Sequence, residues 1–449
     1  MVRGAPRGTT RHARALTRLA CVAAVALVAA ACTAPWTTYH VDNTREGSVS
    51  SGPTPPVANK WTSGWIDGWV YAQPLVYNNR VYVATENNSV YALDLQTGAV
   101  DWRVELGPPV SAASVPCPLD IDPLGITGTP VIDPSTNTIY VVTDESGTKP
   151  AAFHELVGLD TETGAVRVRV SGDPPGVDPV LDHQRPALAL ANGRVYWEYG
   201  GADCGTYHGK VVSVRTDGTD PLVYTVPSIN RGSIWGPSGP AVDSNGNIWV
   251  STGDGTSTMT YDYTTSVLEL SPDLQLLGYF APSNWATLNQ NGQELGSTGP
   301  LLLPGGYVFQ VGKSGDAYLL SQANPGGIGG QLASLSIGCN ASGGNAYSNG
   351  VVYVACLTGT VAVSIDPGPS MHVLWRSSVK TTGSPIVAGS TVWTMLVDQG
   401  VLYAFDAKTG AIQQQLTIGQ ARHFMSPTVS GNLLVVGTSH TVQAFQPAS

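Results

Sequence analysis

An all-β fold, a closed propeller of eight blades, is what this sequence predicts, on three observations. A phrase made of a small residue and proline, an apolar strand, a turn, a second strand, another turn and a third strand returns eight times. Its Pro-apolar start falls at Pro74, Pro130, Pro186, Pro240, Pro300, Pro385 and Pro427, with Ala346 in the equivalent place of one copy. The spacing averages about 50 residues, the range of propeller and solenoid arrays. Composition agrees: 52 Gly and 32 Pro supply turns, and charged residues are only 12%, about half the usual share. Third, the last copy has three strands where a blade needs four, and a bare edge invites mispairing. The lone strand pattern Ala58–Ile66 is expected to fill that place, so that both chain ends share one sheet and close the ring.

The chain begins with an export pattern. Arg3, Arg7, Arg11, Arg14 and Arg18 precede an apolar run, Leu19–Ala31, that ends in Ala29-Ala30-Ala31 before Cys32. That is a positive n-region, an h-region and a small-residue cleavage site, so residues 1–31 read as a signal peptide. Ala-Ala-Ala-Cys also resembles a bacterial lipobox, with Ala29 where leucine is usual. Cys32 is therefore the lipidation candidate, and plain secretion is the alternative. A lipid there would hold the protein to a membrane surface with no spanning segment.

Residues 32–56, rich in Thr, Pro and Ser, read as a flexible tether, and residues 57–449 as the propeller. Blade one spans about 68–107, with strands at Pro74–Tyr77, Val81–Thr85, Val90–Asp94 and Val100–Leu106. Blade two spans about 126–170 around Ile139–Thr143 and Leu156–Asp160. Blade three spans 184–226 around Arg194–Glu198 and Val211–Arg215. Blade four spans 236–280 around Ile248–Thr252 and Ser266–Ser271. Blade five spans 297–336 around Tyr307–Gly312 and Ala317–Ser321. Blade six spans 343–378 around Val351–Ala355 and Val361–Ile365. Blade seven spans 380–418 around Thr391–Leu396 and Val401–Asp406, and blade eight runs from Phe424 to Gln446. Alternating Val, Ile, Tyr and Leu suit a pleated, two-sided surface. Asn78-Asn79 and Asn87-Asn88 suit tight turns.

Export makes disulfides available. Setting aside Cys21 and Cys32 leaves Cys117, Cys204, Cys339 and Cys356, which allow three pairings. Cys339 and Cys356 flank one hairpin and are the expected bridge. Cys117–Cys204 follows by elimination, and buried free thiols are the alternative.

Five of the 22 basic residues and none of the 32 acidic ones lie in residues 1–31, which leaves the mature chain at −15. With no basic stripe, nucleic acid is not expected as a partner.

The first repeat ends in Ala-x-Asp-x-x-Thr-Gly-x-x-x-Trp, with Asp94, Thr97, Gly98 and Trp102 at the fixed places. Asp94 can accept backbone N–H bonds in the turn that Thr97-Gly98 completes, and Trp102 can lie flat against the next blade. Asp160 to Gly164 and Asp406 to Gly410 repeat the turn without tryptophan, and Asp366 with Trp375 repeats it loosely. The string resembles the tryptophan-docking motif of the quinoprotein, or PQQ-like, propeller family. Trp36-x-x-Tyr39-x-x-Asp42-x-x-Arg45-x-Gly47 is similar to the lead-in of exported members. Over residues 36–447 the resemblance implies a quinoprotein-like eight-bladed propeller.

Residues just before each repeat proline are expected to line one channel mouth. The ligand candidates are Gln73, His183, Arg185, Trp235, Asn345, Arg422 and His423, with Arg231 and Lys313 nearby. They form a polar and aromatic ring with several cations, and a concave polar site is the default ligand hypothesis. The bland alternative is that these side chains only satisfy turns and hold water. Dehydrogenases of the resembled family sandwich a quinone between a tryptophan and a ring of adjacent bonded cysteines, and hold Ca²⁺ with Glu, Asn and Asp. Here no two cysteines are adjacent and no such triad is evident. Asp243-Ser-Asn-Gly-Asn247 lacks the terminal glutamate of a Ca²⁺ loop, and zinc spacings, nucleophile elbows and P-loops are missing.

No catalytic residue, metal or cofactor is therefore expected. The sequence points to a monomeric, non-catalytic, extracytoplasmic binding or scaffold propeller of the cell envelope, anchored to the membrane surface by lipid. Its partner would be an envelope protein or a small molecule. This resembles the lipoprotein propeller of the outer-membrane β-barrel assembly machinery, an analogy of fold. The alternatives are a PQQ- and Ca²⁺-dependent dehydrogenase of alcohols or sugars, and a hydrolase or lyase using the funnel.

Overall fold

Eight small sheets carry almost all the regular structure in the computed structural model, which describes residues 1, 35–115, 121–201 and 204–448. Each is built on a four-stranded antiparallel meander. Blade one holds Leu75–Tyr77, Arg80–Ala84, Ser89–Asp94 and Val100–Glu105. Its first hairpin turns on Asn78 and Asn79, both at positive φ, the geometry that matches strand twist. The middle strands are buried on both faces, while the outermost strand alternates.

Blades two to seven repeat the plan with small additions. Asp182–Gln184 adds a short strand to blade three, and Gly327–Ile328 pairs in parallel with the outer strand of blade four. Blade eight is completed by Val57–Thr62, antiparallel to Val442–Pro447. The closure is reinforced by Ser63 N–H on the Val442 carbonyl (2.8 Å) and Ile66 N–H on that of His440 (2.9 Å). The ring thus closes through the expected N-terminal strand.

The docking motif explains three blade seams. Asp94 accepts from the N–H groups of Gln96 and Thr97 and from the Thr97 hydroxyl, at 2.8–2.9 Å. This sets Gly98 at positive φ under the Trp61 ring of blade eight, where a Cβ would lie 2.4 Å from the indole. Trp61 donates to the Leu95 carbonyl at 3.0 Å. Trp102 sits likewise on Gly164 of blade two and donates to the Thr161 carbonyl, and Trp375 sits on Gly410 of blade seven and donates to that of Ala407. An indole face on a bare glycine buries a large area with one hydrogen bond retained. The largest apolar cluster runs across blades seven, eight, one and two.

One expectation is corrected. The described part of the 32–56 segment is not a tether. Trp36, Tyr39, His40 and Arg45 are at most 2% exposed, and residues 36–49 run once round the inner rim of the ring. Trp36 bridges Val76 of blade one, and the Thr37 carbonyl accepts from Ile132 of blade two. The Asn43, Thr44, Glu46 and Gly47 carbonyls accept from Val242, Leu302, Tyr347 and Val387 of blades four to seven. Ser48–Val49 then pairs in parallel with the inner strand of blade seven. The physical reason is that innermost strands carry buried N–H groups needing acceptors, and this segment supplies them one blade at a time. Such pairing follows no helix or strand period, so pattern reading assigns it to a linker.

Residues 1–31 and Cys32 fall outside the described residues apart from Met1. Among the described residues no helix is long and apolar enough to cross a membrane. Cys339–Cys356 is bonded as expected. Cys204 is a half-cystine, and its expected partner Cys117 lies outside the described residues.

Candidate functional site

The rim segment closes one end of the channel. Arg45 is its anchor: Nε and Nη2 donate to the Pro240 carbonyl, Nη2 also to that of Leu188, and Nη1 to the Thr38 hydroxyl and Tyr39 carbonyl, at 2.8–3.2 Å. Burial lowers its pKa to about 10, against the opposing pull of Glu198, so the guanidinium stays charged at neutral pH. His40 bonds the Asn345 carbonyl through Nδ1 (2.9 Å) and the Ser426 hydroxyl through Nε2 (3.1 Å). Burial holds it down to about 3, hence neutral. Tyr39 stacks on His40 with centroids 4.1 Å apart. Gly47 is at positive φ, and a Cβ there would press within 2.7 Å of the His40 ring. Every fixed place of the Trp-Tyr-Asp-Arg-Gly string thus serves this closure, Asp42 by accepting from Thr44 and Glu46 N–H.

Beyond this floor lies a cavity of about 520 Å³. A space of only about 20 Å³ separates the two, bounded by Tyr39 and by Thr127, Arg185, His423 and Phe424 of the cavity wall. Nearly every blade junction contributes to the cavity. Ile121, Leu124 and Thr127 come from the link between blades one and two, His183, Gln184 and Arg185 from that between two and three, and Trp235 from that between three and four. Asp254 follows an inner strand of blade four, Lys313 follows one of blade five, and Asn340, Ser342 and Leu357 belong to the blade-six loops. His423 and Phe424 join blades seven and eight.

Rigid elements hold these side chains. Asp182–Gln184 pairs with Tyr199–Gly201, and buried Asp182 is fixed by Lys210 at 2.7 Å. Beside it, His154 lies between Asp144 (2.7 Å) and Asp173 (2.6 Å). Burial opposes its charge, but the two carboxylates win and raise it to about 10. Lys313 pairs with buried Glu294 at 2.6 Å. Asn340 and Leu357 are joined by the Leu357 N–H on the Asn340 carbonyl (2.9 Å), next to the Cys339–Cys356 bridge.

The aromatic and cationic groups are interleaved. The Arg185 guanidinium carbon stands 5.5 Å from the Trp235 centroid and 4.6 Å from that of Phe424, and Lys313 Nζ 5.0 Å from that of Trp235. Phe424 stacks on His423 at 3.8 Å. Burial, then the Arg185 charge, lowers the pKa of His423 to about 4. Burial lowers that of His183. Buried Glu86 accepts from Gly125 N–H and the Thr127 hydroxyl behind the wall, and burial raises it to about 8.

Of the nine ligand candidates read from sequence, His183, Arg185, Trp235, Lys313 and His423 line the cavity. Gln73 and Asn345 instead hold the floor: Gln73 accepts from His40 N–H and donates to the Pro427 carbonyl, and Asn345 receives His40. Arg422 stacks 3.4 Å from the Trp69 centroid, and Arg231 bridges to His208; neither lines the cavity. Sequence reading missed Phe424, Asp254, Asn340, Ser342 and Leu357. Adjacency to His423, Cys339 and Cys356 was the one signal for Phe424, Asn340 and Leu357.

Among the described residues no group of His, Cys, Asp and Glu is disposed to hold a metal ion. The acidic Asp243 loop is spent internally, Asp243 accepting from Asn245 N–H, Asn247 N–H and the Trp249 indole. The Trp235 ring, the obvious platform for a flat cofactor, is covered by Arg185 and Lys313. A quinone stacked on Trp235 would have to share that ring with both cations.

A family described as outer membrane protein assembly factor BamB matches residues 58–119 and 290–449. Among solved structures, the quinohemoprotein alcohol dehydrogenase from Comamonas testosteroni is 15% identical over 93% of this chain and 81% of its own, with a TM-score of 0.71. A europium-containing methanol dehydrogenase is 12% identical over 92% and 98%, with a TM-score of 0.70. BamB from Moraxella catarrhalis is 14% identical over 87% and 99%, with a TM-score of 0.58. At these identities the likeness is one of fold. No curated protein sequence matches the chain.

Proposed function

We propose, for a chain that is a PQQ-like, quinoprotein-type β-propeller repeat protein, a non-catalytic binding function in the cell envelope, exercised through the channel cavity. The observation that carries this reading is the floored channel: a cavity of about 520 Å³, parted from Tyr39 by a space of about 20 Å³ and walled by fixed polar and aromatic side chains. The volume lies in the range of small-molecule sites. The side chains there offer donors, acceptors and ring faces, and no metal-ligand group of His, Cys, Asp and Glu is found among the described residues. Fixed donors, acceptors and ring faces of this kind support recognition, which a receptor or scaffold needs.

Export through residues 1–31 and anchoring through Cys32 complete the proposal, placing the propeller outside the cytoplasm at a membrane surface. The protein acts there as a monomer that carries a small ligand, presents its loops to an envelope protein, or does both. The runner-up is a quinoprotein dehydrogenase, supported by fold likeness to the two alcohol-oxidising enzymes above and opposed by the covered indole.

Two measurements on the purified exported protein test this. Native mass spectrometry is expected to find a small molecule retained at one per chain. Reconstitution with PQQ and Ca²⁺ is expected to give no dye reduction with alcohols or sugars. Substrate-dependent dye reduction would replace the binding reading with the dehydrogenase one.

A further inference from the structure

We propose that the channel cavity is a site for a small molecule bearing one compact oxyanion, a carboxylate or a phosphate ester, seated on Arg185 and Lys313. This rests on the binding function above and names its ligand class.

Four observations converge. Arg185 is held against the rings of Phe424 and Trp235 at 4.6 and 5.5 Å. A guanidinium stacked on rings keeps its N–H donors round its edge in a fixed plane, the arrangement that meets a carboxylate or phosphate with little loss of freedom. Lys313 Nζ approaches the same indole at 5.0 Å, so two cations lie beside one aromatic ring. An oxyanion placed beside that ring meets both cations.

His183 and His423 line the same cavity with pKa values held down. Neutral His423 contributes an N–H donor, the Asn340 amide and Ser342 hydroxyl add neutral donors, and His183 is engaged by the Val180 backbone. The acids set the limit. Glu294 is paired with Lys313 at 2.6 Å, and Asp254 stands on the cavity wall. A ligand with several carboxylates would bring some of them against Asp254, and like charges at close range are unfavourable. The site is thus matched to a single oxyanion, with Leu124, Ile121 and Leu357 left to cover an apolar remainder.

The test is isothermal titration of the exported protein at pH 7 with inorganic phosphate, benzoate, neutral benzamide, and PQQ with Ca²⁺. Saturable binding of phosphate or benzoate with a Kd of about 10 mM or tighter is expected, and none of benzamide. Which anion binds more tightly distinguishes a phosphate ester from a carboxylate. Arg185→Gln and Lys313→Gln should each weaken binding about tenfold or more, and Arg215→Gln on the surface should change nothing. Arg185→Lys and unchanged melting curves guard against a folding defect. The proposal is overturned if neither anion binds, if both substitutions leave anion affinity unchanged, or if PQQ binds while phosphate and benzoate do not. A neutral molecule found by native mass spectrometry would keep the binding function and remove this ligand class. Dye reduction with PQQ would remove both.

Discussion

Replacing Arg45 with methionine isolates the floor of the channel from the rest of the propeller. The guanidinium makes five hydrogen bonds to four acceptors, Thr38 Oγ1 and the carbonyls of Tyr39, Leu188 and Pro240. Methionine fills much of the same space with none of these donors. Each buried acceptor left without a partner costs about 1–3 kcal/mol. Leu188 keeps a long bond from the Thr38 hydroxyl at 3.4 Å, so the sum stays near the lower end, about 4 kcal/mol, in line with other broken buried charge networks. Unfolding entropy of about 2.1 cal/mol/K per residue over roughly 410 residues gives about 0.9 kcal/mol/K, so Tm should fall by about 4–5 °C. Calorimetry of Arg45→Met beside Arg215→Met, whose side chain is 53% exposed, reads this directly. A fall below about 1 °C, or one equal to that of the surface variant, would refute the anchoring role, because these partners are too many to lose so cheaply.

Further outcomes follow from the same geometry. Trp102→Ala removes a half-buried indole from Gly164 and should cost about 3 kcal/mol, with Gly164→Ala at the same seam comparable because it drives a Cβ into the ring from a positive-φ position; urea titrations that place both near wild type would dismiss the seam. Cys339→Ser with Cys356→Ser opens a loop with a sequence separation of 17, worth about 3 kcal/mol by loop entropy, and a wild type in which both thiols react under denaturation without reductant would deny the bridge. His154, raised from 6.5 to about 10 by Asp144 and Asp173 against the effect of burial, contributes stability that is full below about pH 6.5 and is lost as pH climbs through about 10; His154→Gln should flatten that alkaline decline, and an unchanged pH profile would contradict the charge assignment.

Sequence made the blades legible because repetition averages out local ambiguity. The Asn78-Asn79 hairpin, the Asp94 turn and the Trp102 dock each announce a backbone need by residue type. The ring closure was legible too, since a three-stranded last copy and an orphan strand at Ala58 imply each other. Residues 36–49 were not. They give one carbonyl to each of blades one, two and four to seven, a pattern with neither period two nor period 3.6, and polar residues such as Thr37, Asn43 and Thr44 look solvated until the N–H groups that donate to their carbonyls are traced. The cavity was half legible. Position before a repeat proline brought out His183, Arg185, Trp235 and His423, but it could not separate them from Gln73 and Asn345, which point to the floor. Asp254 and Ser342 sit in loops whose course depends on neighbouring blades, and no local signal marks them.

A channel floored by the chain's own residues 36–49 is the feature on which the binding site depends. Amide hydrogen exchange of the exported protein tests it at residue level. The account predicts that the Trp36, His40, Val41 and Gly47 amides, which donate to Val76, Gln73, Thr38 and His40, are protected on the scale of the blade cores. Exchange of these amides at the rate of an unstructured linker would contradict it, since the cavity would then be an open hole through the ring.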